Sequence, residues 1–97
     1  MRIIAKKTLR KFWLEHPDCE EQLKAWYHEV FKADWQNSNE LLQEYPKARI
    51  IQGNRAIFKI KGNHYRLIVM VNYAYRIVWI RFLGTHADYD KIDPKEV

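Results

Sequence analysis

The sequence predicts an α+β fold: two N-terminal helices packed on one face of a curved, mainly antiparallel sheet. Three observations predict it. Before Pro46, apolar residues recur at intervals of three and four, the repeat of a helix buried along one stripe. After Pro46, short apolar runs alternate with Gly-Asn pairs, the pattern of strands joined by tight turns. Those connections are too short to carry the chain over a sheet, so successive strands must run antiparallel.

The elements follow in order. The run RII at residues 2–4 is a short strand, and Ala5, Leu9, Phe12 and Trp13 share one helical stripe. Pro17 breaks that helix and can open the next. Cys19, Leu23, Trp26, Tyr27 and Val30 repeat the stripe on a second helix, which runs to about Ala33. Asp18, Glu20 and Glu21 fall in its first turn, where the helix dipole favours negative charge. NSNELLQEYP then supplies a capping residue, a short helical turn and a proline stop. ARII leads through Gly53-Asn54 to AIFKI, which leads through Gly62-Asn63 to YRLIVMVNY. The last run is almost wholly apolar, as a central strand covered on both faces would be. RIVWIRFL follows a connection near Ala74-Tyr75. One domain over residues 1–97 is expected, because this length builds a single core and no repeat or linker interrupts it.

Composition narrows the class. A hydrophobic fraction of 47% excludes a disordered chain. Cys19 is the only cysteine, so no intramolecular disulfide can form and a reducing cytosol is indicated. No apolar run is long enough to span a bilayer, and the first residues lack the apolar core of a signal peptide. A cytoplasmic protein without a membrane partner is the expectation. The net charge of +5 is unevenly spread: +4 over residues 1–16, −5 over 17–46, +8 over 47–86 and −2 over 87–97. The third segment contains no acidic residue at all. Such a field attracts phosphates, and nucleic acid is the commonest partner; a solubilising charge excess is the plain alternative.

Strand alternation assigns the cations to a face. Lys59 and Lys61 are two apart and point the same way, with Phe58 and Ile60 turned to the core. Arg66 stands across the Gly62-Asn63 turn from Lys61, and Arg81 is in phase with Trp79. Gly84 ends the strand, with Thr85, His86 and Tyr89 just beyond it. One helical turn would bring His86 and Tyr89 together. Several cations, an imidazole and a phenol around one surface suit cleavage of an RNA phosphodiester. The ribose 2′-OH attacks the adjacent phosphate, which needs a base, cations for the developing charge and an acid at the leaving oxygen. Imidazole titrates near neutrality and is the natural proton-transfer group. No cofactor or metal is expected, since the nucleophile belongs to the substrate and the second half offers no carboxylate before Asp88. The candidate catalytic residues are His86, Lys59, Lys61, Arg66 and Tyr89. Arg55, His64, Arg81, Thr85 and Lys91 are candidate RNA-binding residues.

Other conspicuous residues have simpler readings. Trp13, Trp26 and Tyr27 lie on helical stripes and are expected in the core. For Trp79 a strand-core position is preferred over base stacking. His16 and Cys19 form H-x-x-C without further ligands, too little for a metal site. His28 is expected on a helix surface, and Asp88 and Asp90 as caps of the final turn or as partners that orient a basic side chain.

The runs FKIKGNHYRLIVMV and IRFLGTHADYDKI resemble the HigB-like toxins of bacterial toxin–antitoxin systems, within the RelE superfamily of mRNA interferases. The likeness extends to the basic AKKTLRKFW opening, the helical pair and the GN hairpins. It implies a RelE-like fold, mRNA cleavage, often on the ribosome at the 30S A site, and inhibition by a helix-turn-helix antitoxin of the HigA type. By position, Lys59, Lys61 and Arg66 correspond to the superfamily's basic strand residues, and Tyr89 to its late aromatic that stacks on a base. His86 falls near a position held by arginine in some members and histidine in others. It is the first choice for the acid, with Lys59 second. The competing reading from another class is a non-catalytic RNA- or ribosome-binding module on the same scaffold. A duplex-DNA binder is disfavoured because the helices carry the acid-rich segment.

Overall fold

The computed structural model describes residues 1–97. Its elements are β1 (Arg2–Ile4), α1 (Lys6–Glu15), a 3-10 turn at Pro17–Cys19, α2 (Glu20–Lys32), α3 (Ser38–Glu44), β2 (Arg49–Ile51), β3 (Arg55–Ile60), β4 (Tyr65–Asn72), β5 (Ile77–Thr85) and α4 (His86–Tyr89). The class is α+β. Five strands form one sheet in the order β1-β5-β4-β3-β2. All neighbours are antiparallel except β1, which runs parallel to β5. The nearly all-apolar β4 is the middle strand, as its composition requires.

Local sequence explains the helices. Leu9 and Trp13, four apart, are the buried side chains of α1, and Pro17 follows its end. In α2, Glu20 and Glu21 occupy the first turn and Lys32 the last, the arrangement the helix dipole favours. Lys24 reaches back to Glu20 at 2.6 Å. Asn37 caps α3, its Oδ1 accepting the Glu40 N–H at 3.0 Å.

The core sits on one face of the sheet. Ala56, Phe58 and Ile60 of β3 and Leu67, Val69 and Val71 of β4 share a cluster with Leu9 and Trp13 of α1 and Leu23, Trp26 and Val30 of α2. Trp79 is not part of it. It is half-buried on the opposite face, paired with Met70, which corrects the expected core position.

That opposite face is not all open. Ile57 and Ile68 point into it and are buried. The chain after α4 crosses it, and the Arg55 guanidinium holds the Val97 carbonyl through Nε at 3.1 Å and Nη2 at 2.8 Å. The end of the face beside the β3–β4 turn carries Lys59 and Arg66.

Candidate active site

Three strands meet at that end. Lys59 on β3 pairs with Arg66 on β4, which pairs with Gly84 on β5, forming one row across the sheet. Lys59 and Arg66 lie on the face away from the core. Their phase follows from the core positions of Phe58, Ile60 and Leu67. Lys59 is exposed. Arg66 is 7% exposed and is the one charged residue buried in the protein. Its Nη1 donates to the carbonyls of Asn63 at 3.1 Å and Tyr65 at 3.3 Å, and Nη2 donates to Asn63 Oδ1 at 3.5 Å. The Tyr89 ring lies beneath it, 5.5 Å from Cζ to the centroid. No carboxylate comes within ion-pair distance of it. A buried guanidinium with neutral partners and an aromatic neighbour still has an unmet electrostatic demand, which an anion would meet.

Gly84 makes room for this arrangement. A Cβ there would stand 2.7 Å from Cζ of Phe82, whose ring neighbours Tyr89 with centroids 6.4 Å apart. The α4 turn sets the remaining groups. Thr85 caps it, Oγ1 accepting the Asp88 N–H at 3.1 Å. The His86 backbone N–H donates to the His64 carbonyl at 2.9 Å, tying α4 to the β3–β4 turn. The His86 and Tyr89 rings lie 6.4 Å apart, so the one-turn spacing brings them together. His86 Nδ1 faces Asp90 Oδ2 at 3.1 Å, with the imidazole side chain 49% exposed. That contact fixes the ring and leaves Nε2 for other chemistry. The structure thus gathers Lys59, Arg66, His86 and Tyr89.

Other expected residues stand differently. β3 ends at Ile60, and Lys61 has φ 55°, so it is the first residue of the turn and not in phase with Lys59. Its N–H donates to Gln22 Oε1 at 2.7 Å, anchoring the turn to α2. The left-handed pair is Lys61-Gly62, not Gly62-Asn63. Arg55 lies four residues down β3 and is engaged with Val97 and, at 3.3 Å, with the Gly53 carbonyl. It does not project into the cluster. Arg81 is the extra residue of a bulge. Ile68 pairs with Phe82 and Val69 with Ile80, so Arg81 has no partner and the alternation that linked it to Trp79 fails there. Gly84 does not end β5, which continues through Thr85. The Thr85 hydroxyl is used as a cap. His64 is exposed in the turn beside the cluster, and Lys91 is exposed just after α4.

Asn63 is a site residue that pattern reading missed. It holds Arg66 twice, and its only sequence signal was a turn composition that many residues share. Phe82 was also missed, because the bulge that turns it to this face leaves no periodic trace.

A second polar cluster lies on the core side of the β4 end. Tyr65 Oη donates to Asp18 Oδ1 at 2.7 Å, and His16 stacks on Phe12 with centroids 4.4 Å apart. The hydrogen bond to Asp18, reinforced by desolvation, pushes the Tyr65 phenol up to about 12. Burial, with the Asp18 charge added, pushes the Cys19 thiol up to about 11. Its Sγ–H donates to the His16 carbonyl at 3.1 Å, which makes it a structural thiol. Nowhere do three or more His, Cys, Asp or Glu side chains gather closely enough to hold a metal ion. No helix is long and apolar enough to cross a membrane.

The chain is similar to known proteins. Over 94 residues the chain is 21% identical to a protein named mRNA interferase HigB from Escherichia coli O6:H1 (strain CFT073), with 95% of this chain and 91% of that protein covered. Residues 19–92 match the family described as HigB toxin, RelE-like toxic component of a toxin–antitoxin system. That span contains every element from α2 to α4 and the whole cluster around Arg66, and the chain belongs to the HigB toxin family.

Proposed function

We propose that the protein, as a single toxin domain over residues 1–97, is a metal-independent endoribonuclease that cleaves mRNA on translating ribosomes and so arrests growth. The observation that carries this reading is Arg66, a buried cation without a carboxylate, in one row with Lys59 and beside the His86–Asp90 pair. A scissile phosphate supplies the missing anion. The 2′-OH gives up its proton to a basic side chain of the site or to water, its oxygen forms a bond to phosphorus and the bond to the 5′-oxygen breaks, leaving a 2′,3′-cyclic phosphate and a 5′-hydroxyl. Arg66 and Lys59 stabilise the charge that builds on the phosphorane. His86, oriented by Asp90, transfers the proton to the leaving oxygen, and Lys59 is the second candidate for that step. Tyr89 holds Arg66 from one side and offers its ring edge to a base. Lys61 and His64 on the turn, with Arg81, Thr85 and Lys91 around it, guide the strand, and Arg55 contributes through the tail it anchors. The name of the Escherichia coli relative, an mRNA interferase, supports the same chemistry. The partners are mRNA, the ribosomal 30S A site and a helix-turn-helix antitoxin of the HigA type, met in the cytoplasm.

The test is message cleavage after induced expression, read by primer extension, with circular dichroism as the folding control. His86→Ala and Lys59→Ala are each expected to lose about 10²–10⁴-fold in cleavage while remaining folded. Full cleavage by the folded double variant would refute the assignment. No message cleavage by the folded wild type, with ribosome binding intact, would favour the non-catalytic binding module.

A further inference from the structure

The β3 strand has a partner on its outer side for only half its length. β2 pairs with Arg55, Ala56 and Ile57, while Phe58, Lys59 and Ile60 have no strand beside them there. A groove of about 600 Å³ runs along this unpaired edge, between Gln22, Tyr45, Lys47, Ala48, Lys59 and Asn63. A smaller cavity of about 260 Å³ adjoins it and shares Gln22, Tyr45, Phe58 and Lys59. We propose that this groove takes the base of an RNA nucleotide next to the scissile phosphate. The inference rests on the endoribonuclease reading.

Lys47 and Lys59 in the lining suit the phosphate attached to the nucleotide, and the rest of the lining suits its base. The two carboxylates nearby are already engaged. Glu29 accepts from the Tyr45 hydroxyl at 2.5 Å and Glu44 from Trp35 Nε1 at 3.3 Å. Their charge repels an anion but suits the amino groups of a base. Tyr45 and Phe58, packed edge to face at 5.2 Å, give an aromatic floor. Gln22 has spent its oxygen on the Lys61 N–H, so its two amide hydrogens remain for a base carbonyl or ring nitrogen. Trp26 borders the smaller cavity. It is 3% exposed, and its Nε1–H is the one buried side-chain donor in the protein without a partner. That donor is closed off from the surface, so the indole reports on the cavity it borders and is not itself a contact to the base. The groove is also continuous with the site. Asn63, which lines it, is the residue that holds Arg66 from the other side of the turn. A strand with its phosphate at Arg66 and Lys59 needs only to bend around the turn for the adjoining base to enter.

The experiment titrates ¹⁵N-labelled protein with each of the four ribonucleoside 5′-monophosphates and follows the Trp26 indole and the Gln22 and Asn63 side-chain amides. The same proteins are expressed in cells and their cut sites mapped. Ala48→Phe fills the groove, and Gln22→Glu removes its amide donors while keeping an oxygen to accept the Lys61 N–H. Wild type is expected to show saturable shifts at all three groups, weakened in each variant at the groups it retains. Both variants still cut messages, but their preference at one position flanking the cut falls about 5- to 150-fold, the worth of one stacked base. A protein that cuts messages with no nucleotide-induced shift, or with unchanged preference in both variants, overturns the groove and leaves the nuclease reading standing. Shifts in a protein that cuts no message overturn the nuclease reading and leave a nucleotide site. Shifts produced only by antitoxin mean a peptide groove and overturn the proposal.

Discussion

Replacing Arg66 with methionine separates function from stability. The substitution keeps most of the aliphatic stem and removes the charge. The loss is two hydrogen bonds to a charged donor, at 3.1 and 3.3 Å, and one contact at the 3.5 Å limit. Bonds of this kind contribute about 1.5–3 kcal/mol each, so about 3–6 kcal/mol is at stake. The contact with Tyr89 adds about 1 kcal/mol. Against this stands the penalty of burying a cation with no counter-ion, which is several kcal/mol. The two nearly cancel, so Arg66→Met is expected to unfold in urea within about 2 kcal/mol of wild type. Cleavage behaves differently, because nothing else in the row is buried and charged. Losing one donor aimed at a developing charge lowers the rate by about 10²–10³-fold. Inorganic phosphate gives a third readout. It should raise the melting temperature of wild type, by binding the folded state alone, and leave the variant unmoved. Urea unfolding followed by tryptophan fluorescence and primer extension on a reporter message measure the first two. A variant that loses much more stability and shows no phosphate effect to lose would make Arg66 a structural residue. A stable variant with full cleavage would remove it from the chemistry.

Three further perturbations test other parts of the structure. Gly84→Ala pushes a methyl into Phe82 and should cost about 1–3 kcal/mol of stability together with cleavage, because Phe82 backs Tyr89; a neutral result on both would show that the ring moves freely. Tyr65 has a phenol raised to about 12 in the folded state by Asp18, so its stabilising contribution is complete below the unfolded phenol range near pH 10 and is lost as pH rises to about 12. Urea midpoints across that window should fall in wild type and fall less in Tyr65→Phe, and equal slopes would deny the Asp18 bond. Cys19 is fully buried with a thiol raised to about 11, so a thiol reagent at pH 8 should label the native protein only at the rate of its opening; labelling as fast as a free thiol would contradict the burial.

Much of this architecture was legible in the residues, and the reason is periodicity. Leu9 with Trp13, and Leu23 with Trp26 and Val30, repeat at helical spacing and are buried as that spacing requires. The apolar run of β4 declared a strand covered on both sides, and Ile68, on the face away from the helices, is fully buried. Lys59, Arg66, His86 and Tyr89 could be grouped because each lies near a turn whose composition is distinctive. What failed was alternation carried one residue too far. Lys61 was assigned by counting from Lys59, but the strand had already given way to a left-handed turn. Arg81 was assigned by counting from Trp79, across a bulge. Arg55 was assigned by charge, but its partner, the Val97 carbonyl, lies 42 residues away along the chain, and no local pattern records it. Asn63 escaped because its two bonds to Arg66 depend on the conformation of the turn and not on its composition.

The bulge at Arg81 makes β5 two strands with independent registers. Before it, Val78 and Ile80 face the core; after it, Leu83 does, and Phe82 and Gly84 are turned toward Arg66. Drift in the first half can therefore be absorbed at one residue without turning the second half over. The unpaired backbone position matters more here than the side chain it carries. Were Arg81 drawn into the ladder, the continuous pleat would carry Phe82 and Gly84 to the helix side and send Leu83 out beneath Tyr89, inverting the floor of the site while leaving every side chain in the sequence intact. The floor of the site therefore depends on position 81 staying out of the pairing, whichever residue stands there.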